Sequence, residues 1–107
     1  MNFTEYQKFA QRTSNTSSAA EKIRNGILGL SGETGECADL LKKHLYQGHD
    51  LDKKHMAEEL GDVLWYAAEI ATGLGLTLDE IAQSNLDKLW KRYPHGFDAD
   101  RSIHREE

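Results

Sequence analysis

Four acidic residues carry the strongest chemical signal in the chain. Glu33 and Glu36 stand three apart, and so do Glu59 and Asp62. On an α-helix, residues three apart are neighbours on one face, about 4.5 Å apart along the axis. The pairs also share a register. Glu33 and Asp62 are equally far from the point between Gln47 and Gly48, and so are Glu36 and Glu59. If two helices fold back antiparallel about that point, Glu33 faces Asp62 and Glu36 faces Glu59. Like charges on one helix face repel, and the positions three and four residues away from these acids hold no lysine or arginine. Such charge is balanced from outside the helix. All-oxygen donors suit a hard divalent cation, Mg²⁺ or alternatively Mn²⁺. A di-iron bundle would call for a histidine three residues after a glutamate, and no glutamate here has one. The bland reading of a lone E-x-x-E pair is a solvated acidic face. Two pairs in mirrored register argue against it.

The acids meet only if helices carry them. "TEYQKFAQRT" opens with Thr4 and Gln7 in a capping-box pattern, which predicts a helix over roughly 4–13. The polar loop "SNTSS" follows, and Ser18 with Glu21 repeats the pattern. Ile23, Ile27, Leu30, Thr34, Cys37 and Leu41 then recur at steps of four and three, predicting a helix from about 19 to 45. "YQGHDLD" breaks the chain, with Asp50 or Asp52 as the next N-cap. A second stripe, Met56, Leu60, Val63, Ala67, Ile70 and Leu74, predicts a helix over roughly 53–73, ended by Gly73 and Gly75. Thr77 with Glu80 caps a fourth helix from 78 to about 92, which Pro94 and Gly96 stop. No segment alternates as a strand does. The expectation is one all-α domain over 1–107, a bundle of about four helices on an antiparallel central hairpin, with an irregular tail from about 94.

Composition narrows the partners. The formal net charge of −5 disfavours a general nucleic-acid binder, which would show a basic face. Cys37 is the one cysteine, so a zinc site of clustered cysteines is excluded. Without a signal-like N-terminus or a long apolar run, a cytoplasmic protein with no membrane association is expected.

The stretches "GLSGETGECADLLKKHLYQGHD", "EELGDVLWYAAEIA" and "NLDKLWKRYPHGF" resemble the MazG-like all-α nucleoside triphosphate pyrophosphohydrolases. That family's E-x-x-E, spacer, E-x-x-D motif reads here as Glu33-x-x-Glu36, residues 37 to 58, then Glu59-x-x-Asp62. The resemblance implies hydrolysis of a nucleoside triphosphate to the monophosphate and pyrophosphate with Mg²⁺. It also implies a homodimer or homotetramer whose sites are completed by helices of two subunits. Metal would sit on Glu33, Glu36, Glu59 and Asp62, and Glu33 or Glu36 would take a proton from water.

Asn85, Lys88 and Arg92 step along one face of the last helix and could hold phosphate oxygens, a role the resemblance favours for Asn85 and Lys88. The competing reading is solvated cations at a helix C-terminus. Tyr66 and Trp65 could stack on a base, with core or interface packing as the alternative for each. Arg101 and Arg105 could reach a phosphate in a neighbouring subunit. Lys42 and Lys43 are expected to pair with Asp39, while Glu58 and Glu69 are expected on the surface, with support of the motif acids as the alternative for Glu58. A glycine ladder, Gly26, Gly29, Gly32 and Gly35, runs through the acidic helix. Each glycine there costs up to about 1 kcal/mol relative to alanine. The expectation is that Gly32 and Gly35, each just before a motif glutamate, leave room for a helix or a nucleotide. The rival to an enzyme is a non-catalytic helical interaction module with an acidic cation-binding face.

Overall fold

The computed structural model describes residues 1–105, so Glu106 and Glu107 of the tail lie outside the described residues. The elements in order are α1 (Phe3–Ala10), a 3₁₀ turn (Gln11–Thr13), α2 (Ala19–Tyr46), α3 (Lys53–Gly73), α4 (Leu78–Arg92) and α5 (Ala99–Ile103). Three helix starts fall where the caps predict. Ser18, Asp52 and Thr77 each accept a hydrogen bond from the backbone N–H three residues on.

Three expectations change. The first helix is capped by Asn2, not Thr4: Asn2 accepts from the Glu5 N–H and its amide donates to the Glu5 carboxylate. Thr4 instead donates to Asp79 on α4. The tail is not irregular throughout, because Asp98 caps the short helix α5. Glu69 is no surface acid. It is fully buried at 0% exposure, and five side chains converge on its carboxylate. Ser14 donates at 2.8 Å, Gln11 and Asn25 at 3.0 Å, and Thr16 at 3.3 Å, while the Lys22 ammonium lies 3.6 Å away. Burial pushes this carboxyl up, but the hydrogen bonds and the Lys22 charge outweigh it and hold the group below its ordinary value. The network ties the loop after α1 to α2 and α3.

The hairpin of α2 and α3 is built on close backbone approach. A Cβ at Gly29 would fall inside the Tyr66 ring, and one at Gly26 would overlap the Ile70 side chain. Gly29 and Tyr66 are equally far from the point between Gln47 and Gly48, so this contact has the register read from the acids. Gly32 and Gly35, by contrast, face open space. Each step of three residues turns about 300° around a helix, so the ladder drifts off the α3-facing side as it proceeds.

α1 lies across the far end of α3. The Trp65 indole donates to the Ala10 carbonyl and the Thr13 hydroxyl. Buried Gln7 accepts from the Leu78 N–H at 2.7 Å and donates to the Thr72 hydroxyl and the Leu76 carbonyl, both at 3.0 Å. It thereby serves the first turn of α4. The core they enclose is small: Ala10, Ala68, Ala71 and Leu78 are its buried apolar residues.

Much apolar surface stays outside. The α2 stripe is covered on alternate members only: Ile23, Leu30 and Cys37 are half-buried, while Ile27, Thr34 and Leu41 are exposed. On α4, Gln83 through Lys91 are all exposed, with Trp90 at 67%. That stretch therefore leaves the rest of the chain after its first turns. The radius of gyration is 16.9 Å, against about 13 Å for a compact chain of this length. Among the described residues, no helix is long and apolar enough to cross a membrane.

Glu69→Ala strands the partly buried Lys22 and four polar groups. The expected loss is about 3–5 kcal/mol, read by denaturant unfolding. Gly29→Ala drives a methyl into Tyr66 and should cost about 1–3 kcal/mol. Gly35→Ala, with open space at its Cβ, should leave stability unchanged or raise it by up to about 1 kcal/mol.

Candidate functional site

Glu33 on α2 and Glu59 and Asp62 on α3 present carboxylate oxygens that all lie within 4.8 Å of one another. Helical geometry places Glu33 one turn beyond Gly29, on the side of α2 that meets α3. The Gly29–Tyr66 contact brings the two backbones close just before the acids, so the carboxylates are pressed together, Glu33 and Glu59 half-buried and Asp62 exposed at the edge.

The electrostatic consequence falls on Glu33. Its carboxyl shares a proton with Glu59, is partly desolvated, and feels the charges of Glu59, Asp62 and Glu36. Together these push it up to about 7. Its Oε2 is buried and has no hydrogen-bond partner. A buried acceptor without a donor is uncommon in a folded protein, and a cation is one group that would satisfy it. Opposite ligands of a Mg²⁺ ion stand roughly 4.2 Å apart, close to the span of these oxygens. The set is all oxygen and anionic, which fits a hard divalent ion rather than a soft one.

Glu36 stands apart from this group. It is exposed on α2, one turn past Glu33. The mirrored pairing of Glu36 with Glu59 is replaced by a pairing of Glu33 with Glu59, with Asp62 beside them. Glu59 also has a neighbour that a search for lysine and arginine passes over: His55 Nε2 lies 3.1 Å from its Oε1. The signal was the i, i+4 spacing of a histidine and a motif acid on one helix.

The other named residues are scattered. Tyr66 has its ring against Gly29 and edge-on to Trp65, with ring centres 5.1 Å apart at 85°. Packing therefore takes up one side of that ring, and Trp65 is spent on α1. Asn85, Lys88 and Arg92 are carried by the projecting part of α4. Lys88 and Arg92 line a cleft with α5 that Asn85 does not reach. α4 joins the body at the C-terminal end of α3, about 16 Å along that helix from Asp62. Lys42 and Lys43 pair with Asp39 at 3.5 and 2.9 Å, as their spacing predicts.

Comparison with known proteins points to one family. The family model for the MazG nucleotide pyrophosphohydrolase domain matches residues 21–97, from the start of α2 through α4. The "Gene 37 protein" of Mycobacterium phage L5 is similar, with 38% identity over 73 residues. The alignment spans 64% of this chain and 64% of the phage protein. No solved structure matches.

The raised Glu33 carboxyl sets a pH dependence with a definite sign. The fold binds this proton more tightly than the unfolded chain does, so its contribution to stability is full in acid and is lost as pH rises through about 7. A divalent cation competes for the same oxygens. The metal-free protein should therefore melt lower at about pH 8 than at about pH 6, and Mg²⁺ should raise the melting temperature more at the higher pH. In Glu33→Gln both differences should shrink. Thermal melts with EDTA or with Mg²⁺ check this.

Proposed function

The chain belongs to the MazG nucleotide pyrophosphohydrolase family, and from that premise we propose that it hydrolyses a nucleoside triphosphate to the monophosphate and pyrophosphate. The observation that carries the reading is the three-carboxylate cluster with its unsatisfied Glu33 oxygen. Glu33, Glu59 and Asp62 would hold Mg²⁺, with Glu36 reaching in from the next turn of α2. A divalent ion held there would neutralise phosphate charge and polarise the phosphoryl oxygens. The protein's own part is to fix those ligands on two helices in contact and to receive a proton. Water adds at phosphorus, the anhydride bond between the α- and β-phosphates breaks, pyrophosphate leaves, and a carboxylate takes the water's proton. Glu36 has an exposed carboxylate one turn from the cluster, and Glu33 stands within it. Either can be the base.

The same reading includes self-association. With Gln83 to Lys91 of α4 all exposed, Ile27 of α2 at 49% and Leu60 of α3 at 61%, the chain leaves more apolar surface open than a small soluble monomer usually does. A second copy is the economical cover, giving a homodimer or homotetramer. Lys88, on the exposed stretch of α4, would then meet the phosphates bound by another copy. Removal of unwanted nucleotides is a role such an enzyme could serve.

Incubating the protein with a panel of NTPs and dNTPs plus Mg²⁺ should release pyrophosphate from at least one of them. Glu36→Gln and Asp62→Asn should each lower the rate by about 10²-fold or more with helical circular dichroism unchanged. Release from no nucleotide would favour the non-catalytic interaction module. Light scattering should report a mass of two or four chains, and a monomer at micromolar concentration would contradict the assembly.

A further inference from the structure

Glu59 is engaged from two directions. Its carboxylate is hydrogen-bonded with Glu33 across the hairpin. On its own helix, Glu59 Oε1 lies 3.1 Å from His55 Nε2. The Glu59 side chain is 17% exposed and that of His55 48%, so the imidazole stands between the carboxylate and water. His55 is itself held in place. Its backbone N–H donates to Oδ1 of the N-cap Asp52 at 3.0 Å. A line of short contacts therefore runs from the cap of α3 through His55 to a motif acid.

Helix stability does not account for this pair. On a helix the stabilising order puts the acid N-terminal to its base, and here the histidine comes first. An exposed pair of this kind also contributes little to folding. His55 is not among the groups that converge within 4.8 Å, so it acts beside the cluster and through Glu59. What it supplies is an N–H donor rather than a charge, because a neutral imidazole protonated on Nε2 donates as well.

We infer, on the reading of these acids as a metal site, that His55 is a positioning residue: it holds one oxygen of Glu59 and so sets which divalent cation the cluster prefers. Mg²⁺ demands a near-ideal octahedron of single oxygen donors, and Mn²⁺ takes similar oxygen sets. Ca²⁺ accepts irregular geometry and carboxylates that offer both oxygens. A carboxylate with one oxygen engaged by an N–H presents the other as a single donor. Released from that N–H, it can turn and offer both. The hydrogen-bond partners of metal ligands commonly govern affinity by about 10- to 100-fold. His55 would thus tilt the site toward Mg²⁺ and Mn²⁺ and away from Ca²⁺ without touching cation or nucleotide.

The test is titration of the metal-free whole protein with Mn²⁺, read by electron paramagnetic resonance of the free ion, with Ca²⁺ as competitor. His55→Ala should weaken Mn²⁺ about tenfold and Ca²⁺ less, so that Ca²⁺ competes better than it does against wild type. His55→Gln keeps an N–H donor at similar reach and should recover most of the Mn²⁺ affinity. His55 is exposed, so both variants should keep the helical circular dichroism and the metal-free melting temperature of wild type. Unchanged Mn²⁺ affinity in His55→Ala, equal weakening of Mn²⁺ and Ca²⁺, or a loss that His55→Gln does not recover overturns the inference and leaves the cation site standing. A wild-type protein that binds no Mn²⁺ removes the site itself, and the role of His55 with it.

Discussion

The repulsion among Glu33, Glu59 and Asp62 is the constraint around which the rest of this fold is arranged. Three carboxylates within 4.8 Å of one another cannot all stay charged without a counterion, and Glu33 answers by holding a proton up to about 7. Left to themselves, helices bearing such acids would move apart. They are prevented by packing beside the cluster. Gly26 and Gly29 let α3 approach until Ile70 and Tyr66 fill the space their missing Cβ atoms would take. The hairpin spends its tightest contact on pressing like charges together, which makes sense when a cation completes the site.

The far end of the hairpin is held by polar chemistry of the opposite kind. Glu69 is buried with donors on every side, and those donors come from the loop after α1 and from α2. Gln7 and Trp65 extend the same principle, each satisfying backbone groups of a neighbouring segment. With so few apolar residues buried, these bonds fix the angle at which α1 crosses α3 and from which α4 departs. The departure matters because it leaves Gln83 to Lys91, Lys88 among them, exposed on an arm.

Much of this was legible from local pattern. The starts of α2, α3 and α4 follow from Ser18, from Asp52 of the two candidates Asp50 and Asp52, and from Thr77, because an N-cap is a short-range interaction read within four residues. The hairpin register follows from the mirrored acids and is met by Gly29 against Tyr66. What escaped was non-local or degenerate. Asn2-x-x-Glu5 and Thr4-x-x-Gln7 are both capping patterns, and only the contact of Thr4 with Asp79 separates them. Glu69 looks like a surface acid until residues from the loop after α1 and from α2 fold onto it. Only Gly26 and Gly29 of the ladder meet α3, because drift around the helix turns Gly32 and Gly35 away from it. The periodic stripes reported which faces are apolar, but periodicity does not say whether the cover comes from the same chain or another.

The central claim is that the crowded carboxylates are a divalent-cation site. Titration of the metal-free protein with Mn²⁺, followed by electron paramagnetic resonance of the free ion, tests it most directly. The account predicts saturable binding at or above one ion per chain, lost or sharply weakened in Asp62→Asn and competed by Mg²⁺. A folded wild-type protein that leaves the free Mn²⁺ signal undiminished at millimolar concentration, or an Asp62→Asn variant that binds as tightly, would contradict it.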